Sequence, residues 1–170
     1  MKITLKPIGT IDQGILEELK TTLAHVFGCS VGIASTLDIP ERAYHKARGQ
    51  YRAVALLDAL KASGIAATER VLGIVDVDLY APELNFVFGQ AELGSGVAII
   101  SLCRLRQELP PDPHLFLNRA AKEAVHELGH TFGLGHCTRS KCVMHFSNTL
   151  HDTDVKEMTF CSQCQPKLIQ

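Results

Sequence analysis

The sequence has no tryptophan, only 6% aromatic residues and almost no net charge, since 17 Lys and Arg face 18 Asp and Glu for a formal charge of -1. A near-neutral chain without a basic, aromatic-interleaved patch does not favour nucleic acid or an anionic membrane as its partner. No apolar run approaches the roughly 20 residues of a membrane-spanning helix. The opening stretch MKITLKPIG lacks the apolar block and cleavage pattern of a secretory signal. We therefore expect a soluble, cytoplasmic protein.

The size and composition of the chain favour a single domain. Its length of 170 residues leaves little room for two domains, and 46% hydrophobic residues suffice for one core. There is no internal repeat, low-complexity tract or interdomain linker. We expect one domain over 1–170, with an N-terminal part at 1–135 and a smaller C-terminal part at 136–170. We also expect the protein to be a monomer.

Periodicity in the sequence predicts a mixed α/β architecture. The predicted strands cover residues 1–7, 31–37, 71–77, 84–88 and 97–103, the last two as an antiparallel hairpin. The predicted helices cover about 12–28, 51–63, 113–132 and 152–158. In the first and third of these, Asp12 and Asp112 are plausible N-caps, Gly28 can end the first, and Pro113 suits a first turn. The order of elements predicts an α+β fold, a mixed α/β sandwich with a cysteine-bearing tail.

The segment HELGHTFGLGH, residues 126–136, has the spacing of a catalytic metal site. Residues four apart share one face of a helix, so His126 and His130 can bind one zinc ion. Glu127 is rotated about 100° from His126. Its carboxylate can therefore lie beside the metal and take a proton from zinc-bound water, whose pKa falls to roughly 7. Gly133 can end the helix and reverse the chain, which would bring His136 to the same ion.

Three histidine ligands leave a fourth position open, as expected of a catalytic zinc. The alternative is a surface helix with three solvated histidines. That alternative leaves the glutamate, the glycine and the third histidine unexplained together.

Four of the six cysteines crowd into the end of the chain with the spacing C-x4-C-x18-C-x2-C: Cys137, Cys142, Cys161 and Cys164. Two pairs with short gaps suit a closed, structural zinc site of four thiolates. Two disulfides or four free thiols are the alternatives. Because Cys137 directly follows His136, two metals held by these sets would have to be near neighbours. The other two cysteines, Cys29 and Cys103, are expected to be inert buried thiols.

The zinc-binding segment is followed by Met144, and HExxHxxGxxH with a methionine on a later turn resembles the metzincin metallopeptidases. With the cysteines included, HELGHTFGLGHC…CVM…CSQC resembles the archaemetzincins, which join that signature to a four-cysteine zinc site. A weaker likeness extends to RGQY at 48–51 and to DVDLY and NFVFG between 76 and 89. The resemblance implies a metzincin fold with a twisted mixed sheet, an active-site helix and a small C-terminal part carrying the second zinc.

The resemblance also implies a peptide or protein substrate, two zinc ions per chain and hydrolysis with Glu127 as general base, with aminopeptidase-like activity reported for some members of the family. We expect an extended substrate to pair with a sheet edge, for which residues 84–88 are the preferred candidate. His145 stands where some metzincins place a tyrosine after the methionine, and a solvated surface position is preferred for it. The alternative function is a zinc-stabilised module that binds peptide or protein without cleaving it.

Overall fold

The computed structural model describes residues 1–64, 66, 69–107 and 110–169. In chain order the elements are β1 (Lys2–Ile8), α1 (Gln13–Phe27), β2 (Ser30–Ile33), β3 (Tyr44–His45), β4 (Gln50–Arg52), α2 (Ala53–Ala62), β5 (Glu69–Val75), β6 (Leu79–Tyr80), β7 (Gly89–Ala91), β8 (Val97–Ser101), α3 (Pro113–Thr131) and α4 (Leu150–Val155). Three short 3-10 turns lie at Glu41–Ala43, Cys103–Arg106 and Gln165–Ile169.

The helix ends predicted from capping residues are confirmed. The Asp12 carboxylate accepts a hydrogen bond from the backbone N–H of Ile15, and α1 ends at Gly28 in the left-handed conformation, with φ 60°. The Asp112 carboxylate accepts bonds from two backbone N–H groups in the first turn of α3, which begins at Pro113. Each cap satisfies N–H groups that a helix start leaves without partners.

The main sheet has the strand order β2-β1-β5-β8-β7, and only its edge strand β7 is antiparallel to its neighbour. Successive side chains of β5 alternate between the two faces. Leu72 and Ile74 pack in the cluster that contains the buried residues of α1 and α3, whereas Val71 and Val75 pack in the cluster formed with α2. The sheet therefore lies between helices on both faces, which confirms the predicted mixed α/β sandwich.

A second sheet has three strands, in the order β3-β4-β6. It accounts for one error in the sequence analysis. The predicted helix at 51–63 begins only at Ala53, because Gln50–Arg52 pair with β3 and β6 as a strand.

The prediction of a strand at 84–88 is wrong. Only Val87 of this segment forms a bridge, to Leu79, and the strand that pairs with β8 is Gly89–Ala91. The backbone carbonyls of Leu84 and Asn85 accept hydrogen bonds from side chains instead of from a neighbouring strand. The antiparallel pairing with β8 is nevertheless present, shifted along the chain.

Smaller differences concern element ends. The predicted strand at 31–37 ends at Ile33, the strand at 97–103 ends at Ser101, and the last helix covers Leu150–Val155 rather than 152–158. After Ser101 the chain turns into a short 3-10 helix that leaves Cys103 exposed, so the expected buried thiol is wrong there, while Cys29 is half-buried.

The C-terminal segment shares the core of the N-terminal part. Leu134, Val143 and Met144 are buried in the same cluster as the inner residues of α1 and α3. In the part of the chain that the structure describes, no helix combines the length and apolar character needed to cross a membrane.

Candidate metal centre and cleft

Three imidazoles meet at the C-terminal end of α3. His126 and His130 lie one turn apart, with ring centroids separated by 4.7 Å. The chain reverses at Gly133, which has a φ of 84° and donates its N–H to the carbonyl of His130 at 2.9 Å. This reversal brings the His136 ring within 5.3 Å of His126 and 4.9 Å of His130, measured between centroids. One ring nitrogen from each histidine lies within 4.8 Å of the others.

Two of these imidazoles have their lone pairs fixed toward each other. The Nδ1 atoms of His126 and His130 lie 2.8 Å from the carbonyl of Val143 and 2.6 Å from that of Leu134. A carbonyl can only accept, so each Nδ1 carries the proton and each Nε2 presents a lone pair. The two Nε2 atoms are 3.1 Å apart, a contact that is repulsive without a cation.

Zinc–nitrogen bonds of about 2.0–2.1 Å in a tetrahedron place two nitrogens roughly 3.3 Å apart. The spacing of the two Nε2 atoms is close to this value. The three histidines therefore fit zinc in both donor type and geometry, and the carbonyl partners are the outer contacts that commonly orient zinc-binding imidazoles.

Burial favours the neutral, metal-binding form of these rings. It lowers the pKa of His126, His130 and His136, and it does so most strongly for His126, which is 3% exposed. The nearby ammonium of Lys156 lowers the three pKa values further. A metal competes with protons for imidazole nitrogens, so a low pKa assists metal binding.

Glu127 lies between the imidazoles and the edge strand. Its side chain is buried and lines the cleft together with the three histidines. Burial raises the pKa of Glu127 well above its ordinary value, and the neighbouring carboxylate of Glu123 raises it further. A carboxylate here can exchange a proton with a molecule in the cleft without being a metal ligand.

A buried ion pair between Lys156 and Glu123 lies next to Glu127. The Nζ of Lys156 lies 2.9 Å from Oε1 of Glu123, and the two residues are 0% and 3% exposed. The contact is electrostatic rather than a well-aligned hydrogen bond. The hydroxyl of Thr153 donates to the same oxygen at 2.9 Å. Glu123 stands one turn before Glu127 on α3 and lines the cleft, so the ion pair lies at the wall of the cleft.

The cleft has a volume of about 430 Å³. One wall is formed by residues 81 and 83–91, which include the edge strand β7, and the other by α3 and residues 146–148. Phe146 lies against His136, with ring centroids 4.9 Å apart. The three imidazoles and Glu127 therefore lie in an open groove between a free sheet edge and a helix.

Met144 packs directly against α3. It is fully buried, and its sulfur occupies the space that a side chain at Gly129 would need. Its backbone carbonyl accepts a hydrogen bond from the N–H of Cys137 at 2.9 Å. The methionine thus joins α3 to the segment that follows His136.

The four C-terminal cysteines form a second cluster. Their sulfur atoms lie within 4.8 Å of one another, and those of Cys137 and Cys161 are 3.8 Å apart. A tetrahedron with zinc–sulfur bonds of about 2.3 Å gives sulfur atoms roughly 3.8 Å apart. None of the cysteines forms a disulfide. The four sulfurs therefore fit a closed zinc site.

The thiols of this cluster differ in pKa, and that of Cys161 is lowered toward the thiolate form. Backbone N–H groups of Gln163 and Cys164 lower the pKa of Cys161 to about 6, whereas burial raises the pKa of Cys142 and Cys164. Thiolates are the ligands that zinc binds, so mutual repulsion of four thiolates would have to be offset by the cation.

His145 is not the solvated residue that the sequence favoured. It is half-buried, and its Nδ1 lies 2.9 Å from the carbonyl of Cys137. This contact holds the peptide that follows His136, since Cys137 is the next residue in the chain.

Sequence reasoning missed several residues that shape the cleft. Gly89 contacts the side chain of Glu127. Glu123 lies one turn before Glu127 on α3, and Lys156 forms an ion pair with Glu123. The available signal was the charged pair Lys122 and Glu123, which interrupts the apolar residues 120–121 and 124–125 of α3. No comparable signal marks Lys156, because its position follows only from the packing of α4.

Known proteins resemble this chain along its whole length. An archaemetzincin from Methanocaldococcus jannaschii is 44% identical over 99% of this chain and 93% of that protein. The crystal structure of an archaemetzincin from Archaeoglobus fulgidus, complexed with malonate, superposes with a TM-score of 0.87 at 36% identity, covering 98% of this chain and 99% of the other. A zinc-dependent peptidase from Methanocorpusculum labreanum superposes with a TM-score of 0.88 at 30% identity and the same coverage.

The sequence also matches the profile of Peptidase family M54 over residues 15–170. Together with the identities above and the agreement of the fold, this match establishes the resemblance noted in the sequence. The chain belongs to Peptidase family M54, the archaemetzincin metallopeptidases.

Proposed function

We propose that the protein hydrolyses peptide bonds at a zinc ion held by His126, His130 and His136, with Glu127 as general base. The observation that supports this best is the convergence of the imidazoles, two of them with lone pairs fixed inward, beside a buried carboxylate in an open cleft. When bound, zinc would polarise the scissile carbonyl and acidify a water molecule.

The chain's own residues supply the remaining steps. Glu127 accepts a proton from the attacking water and passes it to the leaving amine. The carbonyls of Val143 and Leu134 hold two imidazoles in the required tautomer. Among the described residues, no strand pairs with the outer edge of β7. This edge offers backbone groups to an extended peptide in place of the residues 84–88 that the sequence favoured.

We further propose that Cys137, Cys142, Cys161 and Cys164 hold a second, structural zinc ion, giving two ions per chain. A closed thiolate site can contribute on the order of 10 kcal/mol to folding. It would fasten residues 136–170 to the rest of one domain that spans 1–170.

The test is a digest of a peptide library with mass detection, comparing wild type with Glu127→Gln and with Glu18→Gln, an exposed control on α1. We expect Glu127→Gln to lower kcat by about 10²–10⁴-fold with unchanged zinc content and folding. The positions of the cuts distinguish aminopeptidase-like removal of a first residue from internal cleavage. Equal rates for wild type and Glu127→Gln would refute the mechanism, and a wild type that binds but cleaves nothing would favour a binding module.

A further inference from the structure

Three short motifs noted in the sequence contribute no imidazole and no thiol to the two clusters: RGQY at 48–51, DVDLY at 76–80 and NFVFG at 85–89. The structure brings them together at one wall of the cleft. We call residues 84–86 the rim, since they line the cleft without belonging to a strand. We call Arg48, Gln50 and Asp78 the clasp.

Two of the clasp side chains donate hydrogen bonds to backbone carbonyls of the rim. The guanidinium of Arg48 donates to the carbonyl of Leu84 at 2.9 Å and to that of Asn85 at 3.1 Å. The side-chain amide of Gln50 donates to the carbonyl of Asn85 at 2.9 Å. Arg48 also donates to the amide oxygen of Gln50 at 2.8 Å, so the two side chains fix each other.

Asp78 anchors this arrangement. Its carboxylate accepts a hydrogen bond from the amide of Gln50 at 3.1 Å and two from Arg104, both at 2.6 Å. The guanidinium carbon of Arg104 in turn lies 4.3 Å from the centre of the Phe86 ring, in the rim itself. The bidentate ion pair of Asp78 and Arg104 therefore contacts both Gln50 and the Phe86 ring of the rim.

The rim needs such support because it pairs with no strand in the described part of the chain. At its ends, the N–H of Leu84 donates to the carbonyl of Ala81 and that of Val87 to the carbonyl of Leu79. Between these points, the carbonyls of Leu84 and Asn85 are held by clasp side chains. The bonds from the Arg48 guanidinium are charge-assisted and therefore stronger than neutral ones. Loss of the clasp bonds would free the wall that a peptide contacts.

We propose that Arg48, Gln50 and Asp78 are positioning residues that fix the rim for peptide binding. This inference rests on the proposed function, because it assumes that the cleft binds peptide. The clasp touches none of the imidazoles or Glu127 in the described contacts, so it acts on substrate affinity and leaves the chemical step unchanged. It also gives the three motifs one shared structural role.

The chain offers a matched control for the test. Asp76 and Asp78 lie two residues apart, and each binds an arginine at 2.6 Å. Each of those arginines covers a phenylalanine: Arg104 covers Phe86 in the rim, whereas Arg106 covers Phe116 on α3, 4.4 Å from its ring centre. Asp78→Asn and Asp76→Asn therefore make the same chemical change, and only the first reaches the cleft.

Binding is measured with a fluorescein-labelled hexapeptide of alternating leucine and alanine, by anisotropy, on protein that also carries Glu127→Gln. Hydrolysis is measured in parallel on the single variants with a peptide that wild type cleaves. We expect Asp78→Asn to raise Kd and KM about tenfold, the effect of losing one charge-assisted bond, with kcat changed less than about twofold. Asp76→Asn should change neither Kd nor KM. Arg48→Met, at an exposed position, should reproduce the rise without loss of fold.

Equal effects of the two Asp variants would overturn the inference, as would a fall in kcat without a rise in KM. Where wild type cleaves no peptide, the proposed function fails, and the clasp is then judged on the Kd values alone. A hexapeptide that does not bind the parent protein would overturn the inference.

Discussion

Gly89 of the edge strand β7 and Glu127 of helix α3 are in direct contact. A β-carbon at residue 89 would lie 2.6 Å from Cγ and 2.7 Å from Oε1 of Glu127, closer than real β-carbons approach other atoms. The carboxylate can therefore occupy its position only while the strand beside it has no side chain at this point. Helix and sheet edge meet here without intervening atoms.

We predict that Gly89→Ala lowers kcat by about 10²-fold, because a displacement of about 1 Å in a catalytic group can cost that much. The measurement is steady-state hydrolysis together with zinc content. Gly32→Ala, in β2, is the control, since a β-carbon there would have only an ordinary contact at 3.9 Å. Unchanged kcat in Gly89→Ala would show that the carboxylate has room to move.

The buried pair of Lys156 and Glu123 gives a stability prediction. Lys156→Met should lower the free energy of unfolding by about 3–5 kcal/mol, because it leaves a carboxylate buried without its countercharge. Combining it with Glu123→Gln should recover a large part of this loss, since the second change removes the stranded charge. Denaturant unfolding of the four proteins in the cycle measures the coupling, and additive losses would contradict it.

Removal of metal should occur in two stages. The open three-histidine site should lose zinc first to 1,10-phenanthroline, with loss of hydrolysis and little change in Tm. The closed four-thiolate site should resist until the thiols are titrated with a mercurial, and Tm should then fall sharply. Zinc analysis at each stage, with His130→Ala as a one-zinc reference, checks the order. Simultaneous loss of both ions would contradict it.

Asp78 gives a pH prediction. Burial alone would raise the pKa of Asp78, but hydrogen bonds from Arg104 and Gln50 outweigh it and hold the pKa below its ordinary value. A group with a lowered folded pKa stabilises the fold above its unfolded pKa of about 3.9, and this contribution is lost as pH falls through the folded value. Stability of wild type should therefore fall more steeply below about pH 4 than that of Asp78→Asn. Parallel curves in acid titrations followed by circular dichroism would contradict this.

Local signals in the sequence were sufficient for both ends of α1 and for the start of α3. Asp12, Gly28, Asp112 and Pro113 act through neighbouring residues, so their effects are visible in the sequence itself. The spacing of the histidines and cysteines predicted which side chains come together, and the three imidazoles and the four thiols do form two clusters. That these clusters hold zinc stays a prediction.

The wrong prediction of a strand at 84–88 has a non-local cause. Residues 84–88 have side chains typical of strands, but two of their carbonyls accept hydrogen bonds from Arg48 and Gln50, which are 36 and 35 residues away in the chain. Lys156 is a similar case, since only the docking of α4 onto α3 carries it to Glu123. Contacts between distant segments determine the structure at residues 84–88 and at Lys156, and a local sequence pattern cannot predict such contacts.

The junction between His136 and Cys137 limits how this protein can change. A single peptide group separates a residue of one cluster from a residue of the other, and His145 and Met144 both bind Cys137. Insertion or deletion of even one residue at this junction would move the three imidazoles relative to the four thiols. The two clusters can therefore be transferred to another protein only together.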